Sequence, residues 1–135
     1  MGKKGDSCWK ILFLIAAIYD FVLGIAFFFL YEPIFSYFNI PLPDYSMYLQ
    51  MAAAFVIAMG VGYYFIFLNL YRNVDLVKLG IVYKIAYAGL TFYWYFTDLA
   101  NAVFMWFAVI DVIFIVTFIS FLRYAKKDER YARWK

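Results

Sequence analysis

Apolar residues run almost unbroken through four stretches of the chain, at about 10–31, 47–71, 75–97 and 100–123, and polar residues gather between them. Each stretch reaches or exceeds the ~20 residues that carry a helix across the hydrocarbon core of a bilayer. Backbone polar groups in lipid must be satisfied within their own segment, so the pattern predicts four transmembrane helices. A membrane barrel would need ~10-residue segments of alternating polarity, and the run Ile25-Ala26-Phe27-Phe28-Phe29-Leu30 does not alternate. The predicted fold class is therefore all-α, a four-helix transmembrane bundle in a single membrane domain spanning 1–135.

The connections add detail. The segment from Glu32 to Asp44 opens with Pro33, expected at the first position of a helix, and closes with Pro41 and Pro43, which stop regular structure. The aromatic residues between them predict a short helix lying in the membrane interface. Asp44 and Asp98 are expected to N-cap the second and fourth spans, and Asn73 or Asp75 the third. The second span carries a ladder of small residues, Ala54, Ala58 and Gly62, suited to close helix approach. The first span, preceded by Lys3, Lys4 and Lys10, resembles a signal peptide, but no small-x-small cleavage site follows it and Asp20 lies in its middle. It reads as a retained helix.

Charge then sets the orientation. Of the twelve Lys and Arg residues, Lys84 alone lies deep inside a span; the other eleven lie at or before the start of span 1, around the connection between spans 2 and 3, or at and after the end of span 4. By the positive-inside rule both termini are cytoplasmic. Glu32, Asp44 and Asp98 mark the opposite side. The basic tail, 124–135, mixes cations with Tyr124, Tyr131 and Trp134. Beside a membrane helix that composition predicts a helical extension meeting anionic lipid, with no nucleic-acid partner.

Composition agrees and excludes much chemistry. The chain is 68% hydrophobic and 16% charged, against roughly a quarter charged in soluble domains, which places its partner as the lipid bilayer. There is no histidine, and Cys8 is the one cysteine, so imidazole bases, imidazole metal ligands and thiolate clusters are ruled out and no cofactor is expected. Cys8 reads as an ordinary small residue at a helix start.

The remaining charges are the informative ones. Asp20 is ten residues past Lys10, Lys84 is twelve past Arg72 and six past Lys78, and Asp111 is twelve before Arg123. At 1.5 Å per residue all three lie roughly 10–18 Å from the cytoplasmic edge, near the midplane. Tyr63 and Tyr64 of the second span share that depth. Each such charge costs ~2.5–3.5 kcal/mol at a helix centre, so the three are expected to face one another. Ala16, Gly24, Gly80, Ala88 and Ala108, spaced three or four residues from these charges, mark the same helix faces as packed. Two carboxylates and one ammonium leave a net negative charge unless one acid holds a proton or a cation joins them. Asp20, Lys84, Asp111, Tyr63 and Tyr64 form the candidate intramembrane polar site.

The chain resembles a group of small bacterial four-helix membrane proteins, broadly the DoxX-like proteins. The resemblance rests on Tyr19 with Gly24, Pro33, Pro41-Leu42-Pro43-Asp44-Tyr45, Gly60-Val61-Gly62-Tyr63-Tyr64, Arg72, Gly80 with Lys84, and Asp111. It implies a bacterial cytoplasmic membrane and a four-helix bundle, with no activity to carry over; a redox role would need a quinone or a partner's cofactor. Three readings of function remain. One is proton- or cation-linked transport or small-ligand binding, working as a homo-oligomer. A second is a non-enzymatic accessory subunit of a larger membrane complex, with the charges as an ion-pair network. The third, an enzyme, is least supported, because neither Asp20 nor Asp111 sits in a protease motif and no phosphate loop is present.

Overall fold

A computed structural model describes residues 4–133, which form six helices: α1 (Lys4–Phe29), α2 (Tyr31–Tyr37), α3 (Ser46–Leu68), α4 (Val74–Phe96), α5 (Ala102–Ala125) and α6 (Glu129–Ala132). Lys3, Trp134 and Lys135, which enter the charge and tail readings above, lie outside the described residues. Helices α1, α3, α4 and α5 are each long and apolar enough to cross a membrane. All four leave large apolar side chains outward, including Phe29, Phe55, Leu90 and Trp106, each more than 60% exposed. Water would oppose such a surface and lipid accepts it. The protein is a multi-pass helical membrane protein.

The chain divides into two compact units, Met1–Phe67 and Leu68–Lys135. In the first, α1 and α3 approach backbone to backbone at two points. A Cβ added at Gly24 would lie 2.9 Å from the Ile57 nitrogen and 3.0 Å from the Ala53 oxygen; one added at Gly60 would lie 2.8 Å from the Phe21 nitrogen and 3.1 Å from the Ala17 oxygen. Later residues of α3 thus meet earlier residues of α1, so the pair is antiparallel. The stripe that packs is Ala53, Ile57 and Gly60. Ala54 and Ala58 are exposed, and Gly62 has nothing within 4 Å of its added Cβ, which corrects the expected ladder by one position. Both stripes carry alanine and glycine and the helix is apolar all round, so composition alone does not choose between them. Gln50 of α3 donates to the Phe28 carbonyl at 3.3 Å, satisfying an end group of α1. Phe35 of α2 is buried with its ring edge-on to Phe27 at 6.3 Å.

In the second unit α4 and α5 pack along regular stripes. Val74, Val77, Gly80, Lys84, Ala88 and Thr91 are the buried positions of α4. Ala108, Asp111, Phe114, Phe118, Phe121 and Ala125 are those of α5. Steps of three and four residues place each set on one helix face. Thr117 and Ser120 donate their hydroxyls to the Phe114 and Val116 carbonyls at 2.9 and 2.8 Å, so two polar groups enter the membrane helix already satisfied.

Three capping expectations are corrected. Asp98 ends α4 and does not begin α5. It adopts φ 58°, and the bonds Asp98 N–H to Tyr95 O (3.0 Å) and Leu99 N–H to Trp94 O (2.9 Å) make a Schellman closure. Aspartate tolerates that left-handed conformation as well as it caps, so its identity does not decide the role. The cap of α5 is Asn101, extended at φ −70°, ψ 145°, whose side chain accepts from Val103 N–H at 3.0 Å. Asp44 stands two residues before Ser46, where α3 begins, outside the cap position. Asn73 holds the cap position of α4 but makes no side-chain cap bond, because its backbone (φ −104°, ψ 26°) is not extended and its amide donates to the Asn69 carbonyl at 3.2 Å. Asp75 pairs with Lys78 at 2.6 Å instead of capping. Pro33 is the third residue of α2, still within the first turn where its missing N–H costs nothing. Asn101→Ala should lower stability by about 0.5–2 kcal/mol while Asn101→Asp largely retains it, measured as thermal unfolding in detergent.

The tail also departs from expectation. It does not extend α5: the helix stops at Ala125 and Asp128 caps a new turn, α6, by accepting from Arg130 N–H at 2.9 Å. Arg130 grips both oxygens of Asp128, Nε at 2.9 Å and Nη2 at 2.8 Å, and Nη2 also donates to the Tyr71 hydroxyl at 3.0 Å. The guanidinium lies 4.2 Å from the centre of the Tyr71 ring. A buried tyrosine in the α3–α4 connection therefore receives the tail.

Candidate functional site

The site is built outward from Lys84. Its position halfway along α4 places the side chain on the face that packs on α5, between Gly80 and Ala88, whose small size lets the helices close around it. The residue is 0% exposed. Its ammonium donates to Asp111 Oδ1 at 2.6 Å, across 27 residues of sequence and between the two helices. Asp111 is itself 5% exposed, with Ala108 one turn earlier on the same face. The Phe114 and Tyr83 rings lie 5.0 and 5.8 Å from the Lys84 nitrogen, so aromatic faces meet the cation beside its carboxylate. The result is a compact neutral pair in an apolar setting, where the attraction between charges is far stronger than in water.

The pair has polar company that the sequence reading did not single out. Tyr87, one turn after Lys84, is partly buried on the same face of α4. Thr91 is buried. The signal was present in the spacing, because Lys84, Tyr87 and Thr91 step by three and four residues along one face. Tyrosine and threonine are so common in this aromatic chain that the pattern did not stand out.

The other site residues belong to the first unit. Asp20 lies on the packed face of α1 between the two close contacts at Ala17 and Gly24, and is 2% exposed. Tyr63 follows Gly60 by one turn of α3 and is fully buried. Tyr64, the next residue, points the other way. It is 45% exposed and lines an open apolar groove with Ile18, Phe21, Val22 and Val61. Thus Lys84 and Asp111 are brought into contact, Asp20 and Tyr63 are buried on the facing sides of α1 and α3, and Tyr64 lies on an apolar surface.

Among the described residues no group of three or more Cys, Asp and Glu side chains could hold a metal ion. Chemically, the Lys84–Asp111 pair can hold or release a proton, since protonating the carboxylate or deprotonating the ammonium breaks the charge pairing. The buried Asp20 carboxyl can likewise take up or release a proton. Neither arrangement supplies a nucleophile with its base. Comparison of the chain with family models, with curated proteins and with solved structures returns no match.

Proposed function

We propose that this protein binds or moves protons or small cations at intramembrane polar groups, the Lys84–Asp111 pair in one unit and Asp20 with Tyr63 in the other, in a bacterial cytoplasmic membrane. In this reading both termini are cytoplasmic, α2 lies in the outer interface, and the chain is a DoxX-like protein working as an oligomer. The observation that carries it is the completely buried Lys84, bonded to Asp111 at 2.6 Å in the middle of two helices long enough to span a membrane. Ionisable groups at that depth cost several kcal/mol and mark proton and ion routes by default. The eleven remaining cations on one side of the predicted topology support the orientation.

The test is flux in proteoliposomes with a trapped pH dye. Asp111→Asn and Asp20→Asn should each slow proton-coupled flux by about tenfold or more, equivalent to roughly 1.4 kcal/mol on the barrier. Unchanged flux with a lowered melting temperature would sink the reading. It would favour an accessory subunit of a larger membrane complex, in which the same charges fix helix register. The closed, neutral geometry of the Lys84–Asp111 pair and the outward aromatic side chains favour that second reading. Recovery of one stoichiometric partner in mild detergent would support it.

A further inference from the structure

The surroundings of the Lys84–Asp111 pair differ between its two sides. Toward the α4–α5 connection, the face of α4 that carries Lys84 continues with Tyr87, Thr91 and Tyr95, at steps of three, four and four residues. Thr91 is buried, and Tyr87 and Tyr95 are partly buried. Toward the tail, the buried positions of the same two helices are apolar. Val74 and Val77 of α4 and Phe114, Phe118 and Phe121 of α5 are buried there, with Val77, Phe118 and Phe121 at 0% exposure. Phe114 stands immediately on that side of the ammonium, 5.0 Å away.

We propose that water, and through it the proton, reaches the Lys84–Asp111 pair from one side only: along the Tyr87–Thr91–Tyr95 hydroxyl stripe from the α4–α5 connection, with Val77, Phe114, Phe118 and Phe121 sealing the other side. Hydroxyls both donate and accept, so a stripe of them supports a file of water, whereas close-packed phenylalanine and valine offer water no partner. A proton delivered along the stripe converts the Asp111 carboxylate to its acid and leaves the Lys84 ammonium without its counter-charge. Return of that proton to the same side restores the pair. Among the described residues, the titratable groups of α4 beside the pair are Lys84 itself, bonded to Asp111, Tyr83, whose ring lies 5.8 Å from the Lys84 nitrogen, and Tyr87, which faces Asp111 electrostatically. The inference deepens the proton-linked reading and rests on it for its purpose.

Cys8 is the one cysteine of the chain, so Cys8→Ser supplies a background for single-cysteine variants of the full-length protein. Thr91→Cys, Tyr95→Cys, Val77→Cys and, as a marker of side, Leu99→Cys would be reconstituted in vesicles and exposed to a charged, membrane-impermeant methanethiosulfonate. Modification needs the thiolate and therefore water, so Thr91→Cys and Tyr95→Cys should react from the Leu99 side at least about tenfold faster than Val77→Cys reacts from either side. Protection of both stripe positions from both sides, or equal modification of Val77→Cys, would overturn the proposal. Should Thr91→Cys fail to fold, Tyr95→Cys decides. A dry stripe with flux still dependent on Asp111 would remove the path and leave the proton-linked reading standing. A wet stripe with flux indifferent to Asp111→Asn would do the reverse.

Discussion

Lys84→Met should destabilise the protein by about 3–5 kcal/mol, and the double variant Lys84→Met with Asp111→Asn should recover most of that loss. The single change leaves the Asp111 carboxylate, 5% exposed, with its 2.6 Å partner removed. The cost is the desolvation of an uncompensated charge, or of the proton uptake that neutralises it. Asp111→Asn alone strands the ammonium in the same way. The double variant buries no charge, and methionine fills nearly the volume of the lysine stem, so neither a stranded ion nor a large cavity remains. Unfolding of the four proteins in one detergent gives the coupling energy directly. A double variant as unstable as the sum of the two singles would show that the two side chains do not act on each other.

The second large effect concerns the α1–α3 contact. Gly60→Ala should cost about 1–3 kcal/mol, the usual range for overpacking a filled site. Every neighbour of the added carbon is backbone: the Phe21 nitrogen at 2.8 Å, the Ala17 oxygen at 3.1 Å and the Phe21 Cα at 3.2 Å. A side chain could rotate away; a helix backbone must be displaced, and with it Asp20, one residue from Phe21. Gly24→Ala should behave similarly, softened because one of its three neighbours is the movable Ile57 side chain. Gly62→Ala, two residues from Gly60, has nothing to meet and should raise stability by up to about 1 kcal/mol through helix propensity. Thermal unfolding of the three variants separates the packed stripe from the exposed one. Equal effects at Gly60 and Gly62 would contradict the contact.

The contrast between Gly60 and Gly62 shows where sequence reasoning stops for such a chain. Span existence was legible because length and apolarity are decisive in lipid, and the long helices fall within a few residues of the expected stretches, apart from α1, which begins earlier at Lys4. The faces of α1, α4 and α5 were legible because a charge tags each of them. Ala16, Gly24, Gly80, Ala88 and Ala108, chosen for their spacing from Asp20, Lys84 and Asp111, are all buried. Helix α3 carries no charge, so nothing distinguished Ala53 and Gly60 from Ala54, Ala58 and Gly62. Caps failed for a different reason. Asp98 and Asn101 both suit a helix boundary, and which one ends α4 and which begins α5 depends on backbone angles that residue type leaves open. The Lys84–Asp111 contact was expected from depth. Tyr87 and Thr91 were hidden by a background of fourteen tyrosines.

The clasp of Tyr71 by Asp128 and Arg130 has a consequence for the order in which the protein is made. Its Tyr71 bonds span 57 and 59 residues, so they cannot form until the chain as far as Asp128 and Arg130 has been made. Helices α4 and α5 can meet as a hairpin as soon as both are in the membrane, through the local stripe that includes Lys84 and Asp111. The Tyr71 end is closed afterwards, when α6 turns back and covers the ring. Closing this end is therefore a long-range contact, distinct from the local pairing of α4 with α5.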